Sequence, residues 1–523
     1  MLHLFRYFKP YIASIAVMLL LLVGQTAATL ALPDYMAHIV NKGIVGGNTA
    51  IIWHIGLRML AVTFLGGLCT VGVAFLATRI ATGAIRDIRG DLFRKVEDFS
   101  LVEFNQFSTA SLITRTTNDL QQVQMVLILV LRLGLYAPIM GIGAIVKAYQ
   151  LAPSMTWIMA VAIGILIVII ATLFTLAIPR FTRLQQLVDR LNLVTREILN
   201  GLRVIRAFNR EAYEERRFDR ANEDLTQLNL TVNRLMAILQ PAMLLILNIT
   251  SIAVVWVGGH RIEDGSLQIG DMLAFMQYAM QAIFAFLMIS MIFIMVPRAA
   301  VSSGRVAEVL QTESTIHDPQ HPVSIASPRG LVEFDHVSFA YPGAERPVLN
   351  NITFTAQPGQ MTAFVGPTGS GKSTLVGLIE RFYDVTEGAI RIEGVDLRDM
   401  RQSDLRSRIG YVSQRAVLFS GTIESNIRYG QANATPEQLA NAADTAQARE
   451  FIVQMEGEFQ ASIAQGGTNL SGGQKQRLAI ARALARRAQI YIFDDSFSAL
   501  DFRTDAMLRA ALAAETAKST VIV

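Results

Sequence analysis

The sequence predicts a multi-domain chain: an all-α region of six membrane-spanning helices, then an α/β domain built around a phosphate-binding loop. Three observations carry this. Up to about residue 300 the chain is a succession of apolar stretches. A glycine-rich run then follows, Gly366-Pro-Thr368-Gly369-Ser370-Gly371-Lys372-Ser373-Thr374. A second short run, Leu470-Ser471-Gly472-Gly473-Gln474, comes later. Composition agrees: hydrophobic residues are 52%, charged residues 17% and mean hydropathy is +0.38, which argues against a plain water-soluble enzyme. The net charge of +4 is modest. Arginines cluster between apolar spans, so membrane topology accounts for them and nucleic acid is not an expected partner.

Residues 1–10 mix apolar, aromatic and basic side chains and predict a short interfacial elbow helix. Residues 11–310 form the expected transmembrane domain, with spans near 12–34, 55–80, 125–148, 155–178, 237–259 and 272–296. Segments 34–54, 149–154 and 260–271 are short and poor in Lys and Arg. Segments 81–124 and 179–236 are long, Arg-rich and helical in period, so they extend the spans well beyond the bilayer. The positive-inside rule puts these long segments, both termini and the α/β domain in the cytoplasm, with the lipid bilayer of the cell (plasma) membrane as surroundings. Gln25, Asn248, Gln277 and Gln281 are the polar residues within spans, candidates for cargo contact or for interhelical glue. Lys147, near an outer boundary, is expected to snorkel. Cys69 is the only cysteine and has no internal disulfide partner.

Residues 311–328 read as a linker, and 329–523 as the nucleotide-binding domain. A strand-like run, Met361–Val365, enters the glycine loop and a helical run leaves it. That context suits backbone N–H groups converging on phosphate oxygens at a helix start. Lys372 is placed to reach the β- and γ-phosphates of ATP, and the Ser373 hydroxyl to ligate Mg2+. Ile490–Phe493 is a buried strand ending in Asp494, a second candidate Mg2+ ligand.

Taken in order, these runs resemble the RecA-like P-loop ATPase domain of ABC transporters. Gly366–Thr374 is similar to Walker A, Leu470–Gln474 to the signature, and Ile490–Asp494 to Walker B. Ser498-Ala-Leu-Asp501 is similar to the D-loop, and Gln414 in Tyr-Val-Ser-Gln to the Q-loop. Residues 107–119 and 197–211 resemble the coupling segments of ABC exporters. The resemblance implies that Tyr341 stacks on adenine and that Gln414 sits at the metal and the reaction centre. It also implies that Ser471, Gly472, Gly473, Gln474 and Asp501 act across a dimer, on the nucleotide held by a partner chain.

Two departures stand out. Asp495 occupies the position where the family places a Glu that orients the attacking water, and it is one methylene shorter. The resemblance then implies an impaired site, and a second half-transporter with Glu after its Walker B Asp. The chain also closes at Thr520–Val523 with no His after His336, so the expected domain is incomplete at its C-terminus. The function expected from the resemblance is ATP-driven export of hydrophobic small molecules, drugs or lipids. The catalytic residues expected are Asp495, Gln414 and Lys372. Peptide export, or an ATP-gated channel or regulatory subunit, are the alternatives.

Overall fold

The computed structural model describes residues 2–325 and 329–523; Met1 of the expected elbow and residues 326–328 of the expected linker lie outside the described residues. The chain divides into two compact units, Met1–Lys95 with Ala110–Gln311, and Val96–Thr109 with Thr312–Val523.

The first unit is all-α. A 3-10 run, Leu2–Tyr11, leads into α1 (Ile12–His38) and is tied to α2 (Thr49–Glu97) by two tyrosines. Tyr7 donates to Asp91 at 2.8 Å and Tyr11 to Asp87 at 3.1 Å. After α3 (Leu101–Gln106), which belongs to the second unit, come α4 (Thr109–Thr114), α5 (Leu120–Leu129) and α6 (Leu135–Leu151). Two π-turns, Arg115–Asp119 and Val130–Gly134, join these three into one rod. Then follow α7 (Thr156–Ala207), α8 (Glu211–Ala237), α9 (Leu239–Glu263) and α10 (Ile269–Gln311). Among the described residues six helical stretches are long and apolar enough to cross a membrane. Their outer surfaces stay greasy, with Phe64 67% and Trp256 71% exposed, as suits a hydrocarbon solvent.

Small residues let α6 and α10 approach closely. A Cβ built on Gly141 would sit 3.2 Å from the Cβ of Ala285. Ala144, Ala148, Phe275 and Tyr278 are fully buried around this contact. Lys147, expected near an outer boundary, has its Nζ 2.7 Å from Asp34 Oδ2. Asp34 is helical because α1 continues to His38 rather than breaking into a loop at residue 34. Its other oxygen accepts from the buried Tyr278 hydroxyl at 2.7 Å. About two turns further on, Asn41 donates to Asp271 at 3.0 Å and accepts from Gly270 N at 2.7 Å. Of the polar residues expected within spans, Asn248 is exposed on the bundle surface; Gln25, Gln277 and Gln281 are half-buried, and Gln281 Oε1 has no hydrogen-bond partner.

The expected second coupling segment falls at the end of α7 and the start of α8. Helical period runs unbroken to Ala207, and the chain reverses through Phe208–Arg210 into α8, with Asn209 at φ 51°. Asn tolerates that left-handed geometry, which lets the chain reverse within a tight turn.

The second unit is α/β. An antiparallel sheet has the order β2-β1-β4-β5, from β1 (Val332–Phe339), β2 (Leu349–Ala356), β4 (Glu387–Ile392) and β5 (Val395–Asp396). A parallel sheet has the order β3-β10-β9-β6, from β3 (Met361–Thr362), β6 (Ile409–Val412), β9 (Ile490–Phe493) and β10 (Thr520–Ile522). A short hairpin pairs β7 (Gly421–Thr422) with β8 (Ser462–Ile463). Between the strands run α11 (Lys372–Ile379), α12 (Gln402–Ser407), α13 (Ile423–Arg428), α14 (Pro436–Thr445), α15 (Arg449–Gln454), α16 (Gly472–Ala485) and α17 (Phe502–Glu515). All four residues of β9 are buried, the pattern of a central parallel strand.

In this unit α3 is held by a capping box between Ser100 and Glu103. Glu103 also accepts from Thr315 N at 3.1 Å, and Asn105 donates to the Tyr383 hydroxyl at 3.1 Å. Helix α11 ends on Glu380, whose carboxyl is enclosed. Burial pushes this carboxyl up to about 8, against the opposing pull of Arg406 and Arg486.

The Asp34–Lys147 pair and the enclosed Glu380 carboxyl each lead to a measurable outcome. Asp34→Asn and Lys147→Gln should each lower thermal stability in detergent by about 1 kcal/mol, and the double change should cost less than the sum. Strictly additive single effects would show that the pair does not act as one. Glu380 stays protonated in the folded state to about pH 8 but ionises near 4.5 when unfolded, so its contribution is full below 4.5 and is lost as pH rises to 8. Glu380→Gln should therefore flatten the fall in melting temperature between pH 5 and 8; an unchanged slope would remove Glu380 as its cause.

Candidate nucleotide site

The site grows from the C-terminal ends of the parallel strands, where open α/β sheets gather their loops. After β3 the chain enters the glycine run. Gly371 caps α11 at φ 89°, a left-handed position where a Cβ would also lie 2.9 Å from Leu349. Gly369, at φ 85°, faces open space, so the loop's rim is clear for a ligand. Ser370 N bonds back to Pro367 O at 3.3 Å and closes the loop. Lys372 folds over it, Nζ donating to Gly366 O at 2.8 Å and to Pro367 O at 2.9 Å. These carbonyls hold an ammonium in the mouth of the loop, where an anion would find it beside the helix N-terminus.

The other wall comes from β9 and β6. Ser373 Oγ donates to Asp494 Oδ1 at 2.9 Å. A hydroxyl and a carboxylate so close present the hard oxygens that Mg2+ prefers. Among the described residues no group of three or more His, Cys, Asp or Glu could hold a metal ion, so a cation here would depend on phosphate and water oxygens as well. Asp495 stands at φ 47°, a strained conformation for a residue with a Cβ. Its Oδ2 accepts from Gln414 Nε2 at 3.3 Å. Ser496, fully buried behind it, donates to Val412 O at 3.1 Å and so fixes the β9–α17 loop against β6.

Tyr341 lines the same cleft. Its hydroxyl lies 2.9 Å from Thr374 Oγ1, and its ring meets Phe339 and Tyr383 edge-on at 5.0 and 5.3 Å. The cleft is about 1060 Å³ in volume. It brings together Tyr341, Gly366, Thr368, Gly369, Gly371, Lys372, Ser373, Thr374, Gln414, Asp494 and Asp495. Phe497, Asp505 and Arg509, which sequence reasoning missed, also line it; the Arg509 guanidinium stacks 4.6 Å from the Phe497 ring centre. The alternation of Phe with small residues after Asp495 is the only sequence signal for them.

The remaining expected residues are elsewhere. Ser471, Gly472, Gly473 and Gln474 do not line this cleft but form the start of α16. Ser471 accepts from Gln474 N at 3.3 Å, and Gln474 returns a bond to Ser471 N at 2.9 Å. Asp501 caps α17, accepting from Thr504 N at 3.0 Å, and these backbone bonds hold its carboxyl below the usual carboxylate range. Helix α16 thus presents an exposed serine and free helix-start amides away from the chain's own cleft.

Known proteins share this architecture along the whole chain. A model of the ABC transporter transmembrane region matches residues 15–295, and an ABC transporter model matches residues 349–498. A protein of Mycobacterium tuberculosis named as an uncharacterized ABC transporter ATP-binding protein is 42% identical over 522 residues, covering 99% of this chain and 89% of that one. The ATP-dependent lipid A-core flippase of Desulfotalea psychrophila is 30% identical over 522 residues, covering 98% and 89%. The solved structure of a bacterial Atm1-family ABC exporter with ATP bound superposes with TM-score 0.80 at 25% identity, covering 98% of this chain and 90% of that one. With both halves matched and near-full-length relatives at this identity, the chain belongs to the ABC transporter family and has the half-transporter arrangement of its exporters, one transmembrane region followed by one ATPase domain.

Proposed function

We propose that this chain is the degenerate-site half of a heterodimeric exporter that moves hydrophobic small molecules or lipids out across the plasma membrane, with both termini and the ATPase domain in the cytoplasm. The observation that carries the asymmetry is Asp495. It is held by Gln414 at the place of the water-orienting base, and its carboxyl sits one methylene short. A base must lie within hydrogen-bond reach of its water, and a displacement of about 1 Å costs rate steeply.

ATP is cradled by Gly366–Thr374, with the adenine against Tyr341. When it binds, Lys372 exchanges the Gly366 and Pro367 carbonyls for β- and γ-phosphate oxygens. Ser373, Asp494 and Gln414 are the residues that would hold Mg2+, which would supply neutralisation of the phosphate charge. Ser471, Gly472, Gly473 and Gln474, turned away from this cleft, donate to the γ-phosphate of a partner chain, as does the loop ending in Asp501. Each composite site is then unequal: this chain's Asp495 weakens one, and its Ser471 serves the other, opposite a partner Glu. Closure of the two ATPase domains drives the transport step. A lipid-like cargo is supported by the relative named a lipid A-core flippase and by the apolar bundle.

Three results test this reading. Lys372→Ala should weaken photolabelling of this chain's own site by an ATP analogue. Inside-out vesicles carrying both chains should accumulate a hydrophobic dye with ATP; movement that only dissipates a gradient would favour the channel alternative. Ser471→Ala should cut steady-state ATPase by about 10²–10³-fold, while Asp495→Asn changes it little. Should Asp495→Asn abolish turnover and Ser471→Ala be mild, the heterodimer assignment is wrong.

A further inference from the structure

Arg482 stands on the buried side of α16, three turns or ~16 Å along the helix from Ser471. Its guanidinium is mostly enclosed, and every contact it makes goes to one short stretch of chain. Nε donates to Asn426 O at 2.9 Å, one terminal nitrogen to Val417 O at 2.9 Å, and the other to Asn426 Oδ1 at 2.9 Å. The rings of Phe419 and Tyr429 lie on it at 5.5 and 5.8 Å. Asn426, only 2% exposed, completes the clamp. It accepts from Phe419 N at 2.8 Å and donates to Phe419 O at 2.8 Å.

Val417 is three residues beyond Gln414, the residue that touches Asp495. The segment between them has no strand or helix of its own. Its position is therefore set at one end by Gln414 in the nucleotide cleft and at the other by the Arg482–Asn426 clamp. A planar fork with three directed bonds transmits displacement; a point charge on a flexible stem does not.

We infer that Arg482 is a positioning residue for ATP turnover: through Val417 and Asn426 it makes the placement of the signature serine Ser471 follow the state of Gln414 in the chain's own nucleotide cleft. It touches neither nucleotide nor reacting atoms. The inference rests on the family assignment of Ser471 and Gln414 and holds whichever of two paired sites turns over.

The test uses the assembled full-length transporter in lipid nanodiscs. Arg482→Lys keeps the charge and loses the fork. Asn426→Ala breaks the same clamp from the opposite side, and carries the test if Arg482→Lys does not fold. A fluorophore on Lys475→Cys, in a Cys69→Ala background, reports on the start of α16. Each clamp variant should still fold with a single cooperative melting transition, keep the KM for ATP within about twofold, lose about tenfold in kcat, and lose the ATP-induced change in emission seen in the parent. Retained kcat, a persistent emission change, a KM that rises in step with the loss of rate, or a parent silent to ATP would each overturn the proposal.

Discussion

Hydrocarbon offers a backbone no hydrogen-bond partner, and most of this molecule's first unit is a response to that. Each peptide group must be satisfied within its own helix, so the spans are long and helical well past the bilayer thickness. Apolar surface outside gives no reason for helices to meet, so α6 and α10 associate through close alanine and glycine contacts. Charges inside are expensive unless paired, and Asp34 meets both Lys147 and Tyr278. The two ends of α10 are where polar contacts gather. Asn41 and Asp34 hold one end; Asp119, accepting from Ser302 at 2.9 Å and from Arg305, holds the other. Between them the helix is mainly apolar.

The second unit works by the opposite logic. Its loops are exposed, and what positions them is the parallel sheet beneath. β3, β9 and β6 end at the same edge of the parallel sheet, with β10 between β3 and β9, so the glycine loop, the Asp494–Asp495 pair and Gln414 converge though they are far apart in the chain. Strain at Asp495 is sustained because β9 is fully buried on one side of it and Ser496 is bonded to Val412 on the other.

Most of this was legible in the sequence, and for physical reasons. Six uninterrupted apolar stretches have few alternative structures, and the glycine loop needs its strand and helix on either side. Ser373 was legible from the glycine run and Asp494 from an acid ending a buried strand, the pair that the structure brings to 2.9 Å. What was not legible depends on partners distant in the chain. Asp34 looked like a loop residue because the continuation of α1 to His38 is set by packing against α10, not by local propensity. Phe497 and Arg509 enter the cleft through the turn after Asp495, which no periodicity announces. The clamp of Arg482 was hidden because its acceptors are mainly backbone carbonyls, which carry no residue signature.

The tight turn at Phe208–Arg210 has a mechanical consequence. Helix α7 runs 52 residues to that turn, with Pro179 inside it. A proline removes one rung of the hydrogen-bond ladder and makes a natural flexing point. From Pro179 to Ala207 the helix is a lever arm of ~42 Å at 1.5 Å per residue. A swing of roughly 5° at the proline sweeps the tip through about 4 Å. Because the turn is short and α8 packs back along the shaft, the tip moves as a stiff point rather than as a loose loop. A flexure too small to disturb side-chain packing near the hinge thus arrives at the tip as a displacement larger than a hydrogen bond.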